Sequence, residues 1–188
     1  FKNEEGRYKE AGNIKNAVPY LHQDPDSDEI LGQCEESGRD QGHATLCVSL
    51  MGAFCQMAYS IGEDLFAYDN YRAVAMAEYV GKYNLIKDES FDKGTLVGDD
   101  FIYDSNSFPY TSYSNPSYTN ATISTEQRGT KRPSWELFYG YCKEKGISSL
   151  YSEKWADQMR PDGGGGNYGP NSGGFDQLGF GTLMHYRE

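Results

Sequence analysis

Basic residues are scarce in this chain of 188 residues, which has 17 lysines and arginines against 28 acids and a formal net charge of −11. Such a negative field repels nucleic acid and anionic membrane surfaces unless basic residues are grouped locally. Long hydrophobic runs are also lacking, and no stretch reaches the length of a membrane span. We therefore expect neither a nucleic acid partner nor a membrane span.

Motifs for metal and redox chemistry are lacking too. None of the four cysteines, Cys34, Cys47, Cys55 and Cys142, forms a CxxC pair, so a zinc knuckle or redox dithiol is not indicated. No HExxH motif is present either. Cys47 and Cys55 fall on one face of an apolar segment, where we interpret them as small buried hydrophobic residues. We expect no metal and no cofactor.

Targeting signals are not visible in the sequence. The chain begins on "FKNEEGRYKE" without a methionine, and we expect a leader or a longer N-terminal part to have been removed. Aromatic residues make up 14% of the chain, which favours a folded protein over a disordered one although the mean hydropathy is −0.74. The length suits one domain or part of a larger one.

The longest apolar segment predicts a helix over Ser37–Ile61. Its apolar positions recur at helical spacing, and only a thin polar stripe remains, so we expect burial on most of the circumference. The apolar row consists of Leu46, Leu50, Phe54, Met57 and Ile61, and the polar stripe of Thr45, Ser49, Gln56 and Ser60. Ser37 and Asp40 have the spacing of a capping box, which places the N-cap at Ser37 and Asp40 in the first turn.

Three further helices are predicted, and with the first they form two antiparallel pairs. The second covers roughly Tyr71–Asn84, with Glu78 and Lys82 spaced for an i,i+4 ion pair. The third begins at Pro133 and is stopped by Gly146 after Lys145. The fourth lies around Ser152–Arg160, before the glycine-rich "PDGGGGNYGPNSGG", which we interpret as a flexible loop. We expect an all-α fold.

The remaining segments lack a helical period. The stretch "HQDPDSDEILG" is predicted to be a loop because it is rich in turn formers. Residues 86–130 are crowded with aromatic side chains, and we interpret them as an ordered loop or short hairpin that covers a site as a lid. "FGTLMHY" near the C-terminus fits a short strand or helix.

Charged and polar side chains converge where the first helix begins. We call this set the entrance cluster; it comprises Glu36, Arg39, Asp40, Gln41 and His43. The positive end of the helix dipole disfavours a protonated imidazole, and a neutral imidazole is what a general base requires.

Three other interpretations of the entrance cluster stay open on the residues alone. The first is a capped helix with ordinary ion pairs. The second is a metal site made by Glu36, Asp40 and His43. The third is a pair of carboxylates for glycoside hydrolysis, with Glu36 and Asp40 as acid and base.

Five blocks of sequence, in order, resemble the alginate lyase family of polysaccharide lyases. They are "GQCEESGRDQGHATL", "DLFAYDNYRAVAMAEYVGKYNL", "RGTKRPSWELFYGYC", "WADQMRP" and "GFGTLMHYR", and they extend over Gly32–Arg187. The resemblance implies an (α/α) toroid of helical hairpins, location in the periplasm or secretion, and eliminative cleavage of a uronate-containing polysaccharide. Two features depart from the family pattern. The Asn-His pair that neutralises the substrate carboxylate is missing, and four helices are too few for a closed ring.

These departures predict that the chain, residues 1–188, is a single domain or the C-terminal part of an incomplete toroid. An upstream segment would then carry the Asn-His pair. The alternatives are a non-catalytic relative that binds carbohydrate, and an inverting glycoside hydrolase on a similar toroid.

The resemblance gives the candidate residues their roles. Arg39 and Gln41 would bind the uronate carboxylate, and His43 would take the C5 proton. The family's base or acid is often a tyrosine, for which Tyr103, Tyr110 and Tyr113 are the candidates.

Further residues are expected to bind or orient the substrate. Glu36 and Asp40 would orient Arg39 and His43. The substrate-binding set is completed by the basic residues Arg72, Arg128, Lys131 and Arg132. Arg132 is equally well placed to pair with Glu136 across one helical turn.

Overall fold

The computed structural model describes residues 14–87, 96–115, 118–130, 132 and 134–159. Within these ranges the chain forms five α-helices and two antiparallel β-hairpins. In chain order they are α1 (Ile14–Ala17), β1 (Tyr20–Gln23), β2 (Ile30–Gln33), α2 (Gln41–Ser60), α3 (Tyr68–Asn84), β3 (Tyr113–Asn115), β4 (Tyr118–Asn120), α4 (Trp135–Lys145) and α5 (Leu150–Met159). Of these described helices, none combines the length and hydrophobicity that crossing a bilayer requires.

The expected all-α toroid is wrong, because the described part of the chain is a mixed α+β domain. "HQDPDSDEILG", expected to be a loop throughout, supplies the end of β1, a tight turn and β2. The turn closes with Asp24 N donating to Glu29 O at 3.0 Å, and Leu21 lies opposite Gly32 in the ladder. Strands of four residues are too short to show a clear alternating pattern, so the turn formers dominated the sequence signal.

Helix α3 is the centre of the domain and is buried from Ala73 to Asn84. Strand β2 packs directly on its backbone because Gly32 has no side chain: a Cβ there would lie 2.8 Å from Met76 N and 2.8 Å from a methyl carbon of Val18. The predicted range Tyr71–Asn84 begins one residue before the regular part of this helix, since residues 69–71 have positive φ and only the following turns are helical.

The predicted ion pair between Glu78 and Lys82 is replaced by contacts with other elements. Lys82 is fully buried and binds the carboxylates of Asp24 and Asp26 in the turn of the first hairpin. Because α3 is buried all round, a charged side chain on it must find its partner across the core and not along its own surface.

Helix α2 faces the core with the side opposite to the one predicted. Its supposed apolar core row is largely exposed, with Phe54 54% and Met57 63% accessible, whereas Thr45 and Ser49 of the supposed polar stripe are fully buried. The reason is close packing: a Cβ at Gly52 would lie 2.8 Å from the ring of Phe138 on α4. Small residues therefore form the interface, and a hydroxyl in it finds its partner across it, as where Ser49 donates to Ser134 just before α4.

The later elements follow the prediction more closely. Helix α4 ends at Gly146, whose φ of 66° places it in the left-handed conformation expected of a helix stop. Residues 86–130 contain the hairpin β3–β4 and an isolated bridge between Ile86 and Phe101. Phe101 and Phe108 from this segment are buried. Pro133, the glycine-rich loop and "FGTLMHY" lie outside the described residues.

Glu78 caps the beginning of α5 from inside the core. Its carboxylate accepts the backbone N–H groups of Tyr151 and Ser152 at 2.8 Å each. Burial nevertheless raises the pKa of Glu78 to about 7. Because the folded-state pKa is above the unfolded value, the stability that Glu78 contributes is fully present below pH 4.5 and is lost as the pH rises through 7.

We therefore expect Glu78→Gln to flatten the dependence of stability on pH. Relative to the variant, the wild-type free energy of unfolding should fall by on the order of 3 kcal/mol between pH 4.5 and pH 7. Urea denaturation across this range measures the difference, with Glu63→Gln at an exposed position as the control. If the difference in the free energy of unfolding between wild type and Glu78→Gln did not change with pH, the raised pKa of Glu78 would be contradicted.

Candidate functional site

The entrance cluster lies between strand β2 and helix α2, on a 3₁₀ turn formed by Glu35–Gly38 and on the first turn of α2. The N-cap of α2 is Asp40, whose Oδ1 accepts the backbone N–H of His43 at 2.7 Å. The capping box predicted at Ser37 is wrong, because the 3₁₀ turn separates Ser37 from the helix. Its hydroxyl is buried and has no hydrogen-bond partner among the described residues.

Asp40 also binds the imidazole of His43. Its Oδ2 lies 2.6 Å from His43 Nδ1. A carboxylate can only accept, so Nδ1 carries the hydrogen and, in the neutral ring, Nε2 is the basic nitrogen. The side chain of Asp40 is 7% exposed and that of His43 is 41% exposed. The pair therefore presents an oriented base at the surface, supported by a nearly buried carboxylate.

Arg39 extends over the same surface. Its Nη1 lies 3.3 Å from Glu36 Oε2 and its Nε lies 3.6 Å from Asp40 Oδ2, while the side chain stays 47% exposed. These distances and this exposure make the two ion pairs weak, on the order of 1 kcal/mol or less. The guanidinium is thus held near His43 but can exchange its partners for an incoming anion.

Gln41 is buried and belongs to the scaffold beneath the cluster. Its amide donates to Ser37 O and Ser124 O at 3.0 Å each and accepts from Asn84 Nδ2, also at 3.0 Å. The expected role of Gln41 as a direct ligand for the substrate is therefore replaced by one of positioning. Asn84 and Ser124 are distant in sequence, and no local pattern indicates that they meet Gln41.

Of the three candidate tyrosines, the structure brings Tyr110 to the entrance cluster. A Cβ at Gly38 would lie 2.2 Å from the Tyr110 hydroxyl, which shows how closely the phenol approaches the turn next to Arg39. The hydroxyl donates to Asn120 O at 3.3 Å, and burial raises the pKa of Tyr110 above its ordinary value. Tyr110 therefore remains a protonated hydrogen-bond donor at neutral pH.

The other two tyrosines lie elsewhere. Tyr103 packs edge-on against Tyr151 and contacts the ammonium group of Lys82. Tyr113 packs edge-on against Tyr20 of the first hairpin. Both contacts are those of structural aromatic residues.

Gln127 is a neighbour that the sequence did not reveal. Its Oε1 lies against Gly42, where a Cβ would be only 2.0 Å away. The residue is exposed and has a positive φ of 54°, a strained conformation for a side chain other than glycine or asparagine. Gly42 therefore makes room for the Gln127 amide against the first turn of α2.

The basic residues expected to bind substrate are mainly structural. Arg72 donates to Asp69 at 2.6 Å and to Val18 O at 2.7 Å. Arg128 is buried between the rings of Tyr83 and Phe101, and burial lowers its pKa to about 10.

Neither of the last two basic candidates supplies an exposed cation among the described residues. Arg132 is buried, as is Glu136, its proposed helical partner. Lys131 lies outside the described residues. Of the basic candidates within the described ranges, Arg39 is the exposed one, and it shares the carboxylate of Asp40 with His43.

The metal interpretation gains no support from the described residues, among which no group of three His, Cys, Asp or Glu side chains could hold an ion. Comparison with protein-family models, with curated proteins and with solved structures gives no match for the chain. The function must therefore be argued from the site itself.

We expect substitution of Asp40 to separate its two roles. Asp40→Ala should lower the free energy of unfolding by about 1–2 kcal/mol, because the helix loses its cap. Asp40→Asn should cost clearly less, because asparagine caps equally well, yet the His43 Nδ1 resonance should shift once the charged acceptor is gone. Urea denaturation and NMR of the imidazole measure the two effects. Equal losses of stability in the two variants would show that Asp40 does not act as the cap.

Proposed function

We propose that this protein cleaves a uronate-containing polysaccharide by β-elimination at the entrance cluster. The observation that carries the proposal is the imidazole of His43, fixed by Asp40 and open to solvent beside the guanidinium of Arg39. Elimination needs a base for the C5 proton and a cation for the adjacent carboxylate, and these two side chains supply both.

His43 acts as the base in this proposal. With Nδ1 engaged by Asp40, its Nε2 takes the C5 proton, and the nearby carboxylate stabilises the imidazolium that results. The negative charge that develops on the substrate's carboxylate is offset by Arg39, which exchanges its weak pair with Glu36 for a bidentate contact. An Asn-His pair from an upstream segment, as the family resemblance implies, would share this neutralisation.

Tyr110 acts as the acid. Elimination expels the glycosidic oxygen at C4, which must receive a proton as its bond to carbon breaks. The phenol is protonated at neutral pH, and to protonate this leaving group its hydroxyl exchanges its present acceptor, Asn120 O, for the glycosidic oxygen. Its hydroxyl lies against the buried Gly38, the residue that precedes Arg39 in the chain.

The hydrolase alternative fits the geometry less well. An inverting hydrolase needs a carboxylate free to activate water. Both oxygens of Asp40 are already used, one by the backbone of His43 and one by its ring, which leaves only Glu36 of the proposed pair to activate water. A polymeric anionic substrate also favours a protein that works in the periplasm or outside the cell.

We expect His43→Gln to reduce elimination by roughly 10²–10⁴-fold, the usual contribution of a general base. The full chain is incubated with alginate or glucuronan, and the ultraviolet absorbance of the unsaturated product is followed together with reducing ends. The matched control is His22→Gln in the first hairpin, where the imidazole contacts Gln33. Reducing ends without ultraviolet absorbance would indicate a hydrolase, and polymer binding without either product would indicate a binding protein. Wild-type activity in His43→Gln sinks the proposal.

We expect Tyr110→Phe to lower the elimination rate by roughly 10²-fold or more while leaving the fold intact, because only the proton donor is lost. Tyr113→Phe removes the same atom from a tyrosine that packs on the first hairpin and should retain full activity. Rates on the same polymer, with Tm measured for both variants, give the comparison. Equal rates in the two variants would remove Tyr110 from the mechanism.

A further inference from the structure

Helix α2 has an apolar face that is exposed to solvent. Four large side chains, spaced four, three and four residues apart, form a row along it. They are Leu50, Phe54, Met57 and Ile61, with exposed fractions of 56%, 54%, 63% and 81%. Leu46, one turn before Leu50, is partly exposed and continues the row. A continuous apolar row of this kind is typical of an interaction surface, whereas exposed apolar residues that are scattered singly are not.

The spacing of the row indicates that a second helix covers it. Steps of three and four residues place side chains in a nearly straight line along one side of a helix, as in pairs of helices that pack against each other. Helix α2 has 20 residues and is therefore about 30 Å long. From Leu46 to Ile61 the row extends over about four of its turns.

The lack of charge on α2 favours a second copy of the same chain as the partner. Residues 41–60 contain no Asp, Glu, Lys or Arg, although the chain as a whole carries a net charge of −11. Two copies therefore repel each other through the rest of their acidic surface, but along α2 they meet without a pair of like charges. A basic partner would instead be attracted to the acidic surface elsewhere, because α2 offers it no carboxylate.

The row is also symmetric about its centre. We consider two α2 helices that pack antiparallel around a two-fold axis located between Ala53 and Phe54. The opposing residues of the two copies are then Leu46 with Ile61, Leu50 with Met57, and Ala53 with Phe54. Every position of the row meets an apolar side chain, and the large ring of Phe54 lies against the small Ala53. A two-fold interface requires such self-complementarity, because both copies contribute the same patch.

We propose that α2 is a dimerisation surface, on which a second copy of the chain packs its own α2 in the antiparallel direction. Apolar side chains that are in contact with water in the single chain become buried in the dimer, which drives the association. The proposal does not rest on the polysaccharide lyase activity, since it concerns a different set of side chains.

The test is analytical ultracentrifugation of the full chain at concentrations from roughly 1 μM to 1 mM, a range in which weak dimers dissociate. We expect the average mass to rise with concentration towards twice the 21.1 kDa of one chain. Phe54→Glu places a charge at the centre of the face and should raise the dissociation constant by roughly 100-fold or more. The matched control is Val97→Glu, which adds the same charge at an apolar residue outside α2 that is 61% exposed. It should leave the dissociation constant unchanged.

A pair of charged substitutions tests the antiparallel arrangement. Leu50→Lys and Met57→Glu should each weaken the dimer. The double variant should recover roughly 10-fold or more of the lost affinity, because each introduced lysine then lies opposite an introduced glutamate. In a parallel dimer the introduced lysines would face each other, and no recovery would occur.

Several outcomes would overturn the proposal. A wild-type chain that stays monomeric at every concentration overturns it, as does a dimer that Phe54→Glu leaves intact. A lower Tm of Phe54→Glu in a monomeric protein would show that another part of the same chain covers the face, and this too overturns it. A double variant that recovers no affinity overturns the antiparallel arrangement.

Discussion

The buried amide of Gln41 joins three parts of the chain that would otherwise have no reason to meet. It bonds the carbonyl of Ser37 on the 3₁₀ turn, the carbonyl of Ser124 on the segment before α4, and the amide of Asn84 at the end of α3. Asn84 in turn accepts the backbone N–H of Gly129 at 2.8 Å. A fully satisfied network of this kind specifies one arrangement, because any displacement leaves a buried polar group without a partner.

The candidate site depends on this network for its rigidity. The helix that bears His43 begins at Gln41, and the backbone N–H of Gln41 donates to Glu126 O at 2.8 Å. Arg39 and His43 therefore belong to a turn and a helix start whose backbones are held in place by the buried hydrogen bonds of Gln41. Side chains that must exchange partners with a ligand remain exposed, whereas those that only hold the backbone are buried and saturated.

The sequence predicted the individual helices better than their environment. The end of α3 at Asn84 and the stop at Gly146 were readable, because capping and helix termination are local effects. Which side of α2 faces the core could not be predicted, because apolar residues surround most of the helix. The buried side is determined by the close approach to Phe138 that Gly52 allows. The first hairpin was missed for a related reason, since short strands stabilised by packing on α3 give little periodic signal.

The residues of the candidate site also differ in how well their positions could be predicted. Asp40, Arg39 and His43 are close in sequence, so their proximity on a helix start could be predicted. The burial of Gln41 and the arrival of Tyr110 at Gly38 depend on tertiary contacts, which no single segment encodes.

The electrostatics of the entrance cluster bear on an apparent conflict between an acidic protein and the anionic substrate that we propose for it. A chain with a net charge of −11 repels a polyanion at long range, yet at this surface Glu36 already occupies Arg39 with a carboxylate 3.3 Å away. Binding a uronate is then an exchange of one carboxylate for another and not the burial of a new charge. The exposed ion pair between Arg39 and Glu36 is weak enough for Glu36 to be displaced. An incoming carboxylate can bind the guanidinium more strongly if it makes two hydrogen bonds to it. In the proposed function, Glu36 would hold the guanidinium extended and solvated until a uronate carboxylate replaced it, so that an acidic surface could still bind acidic sugars.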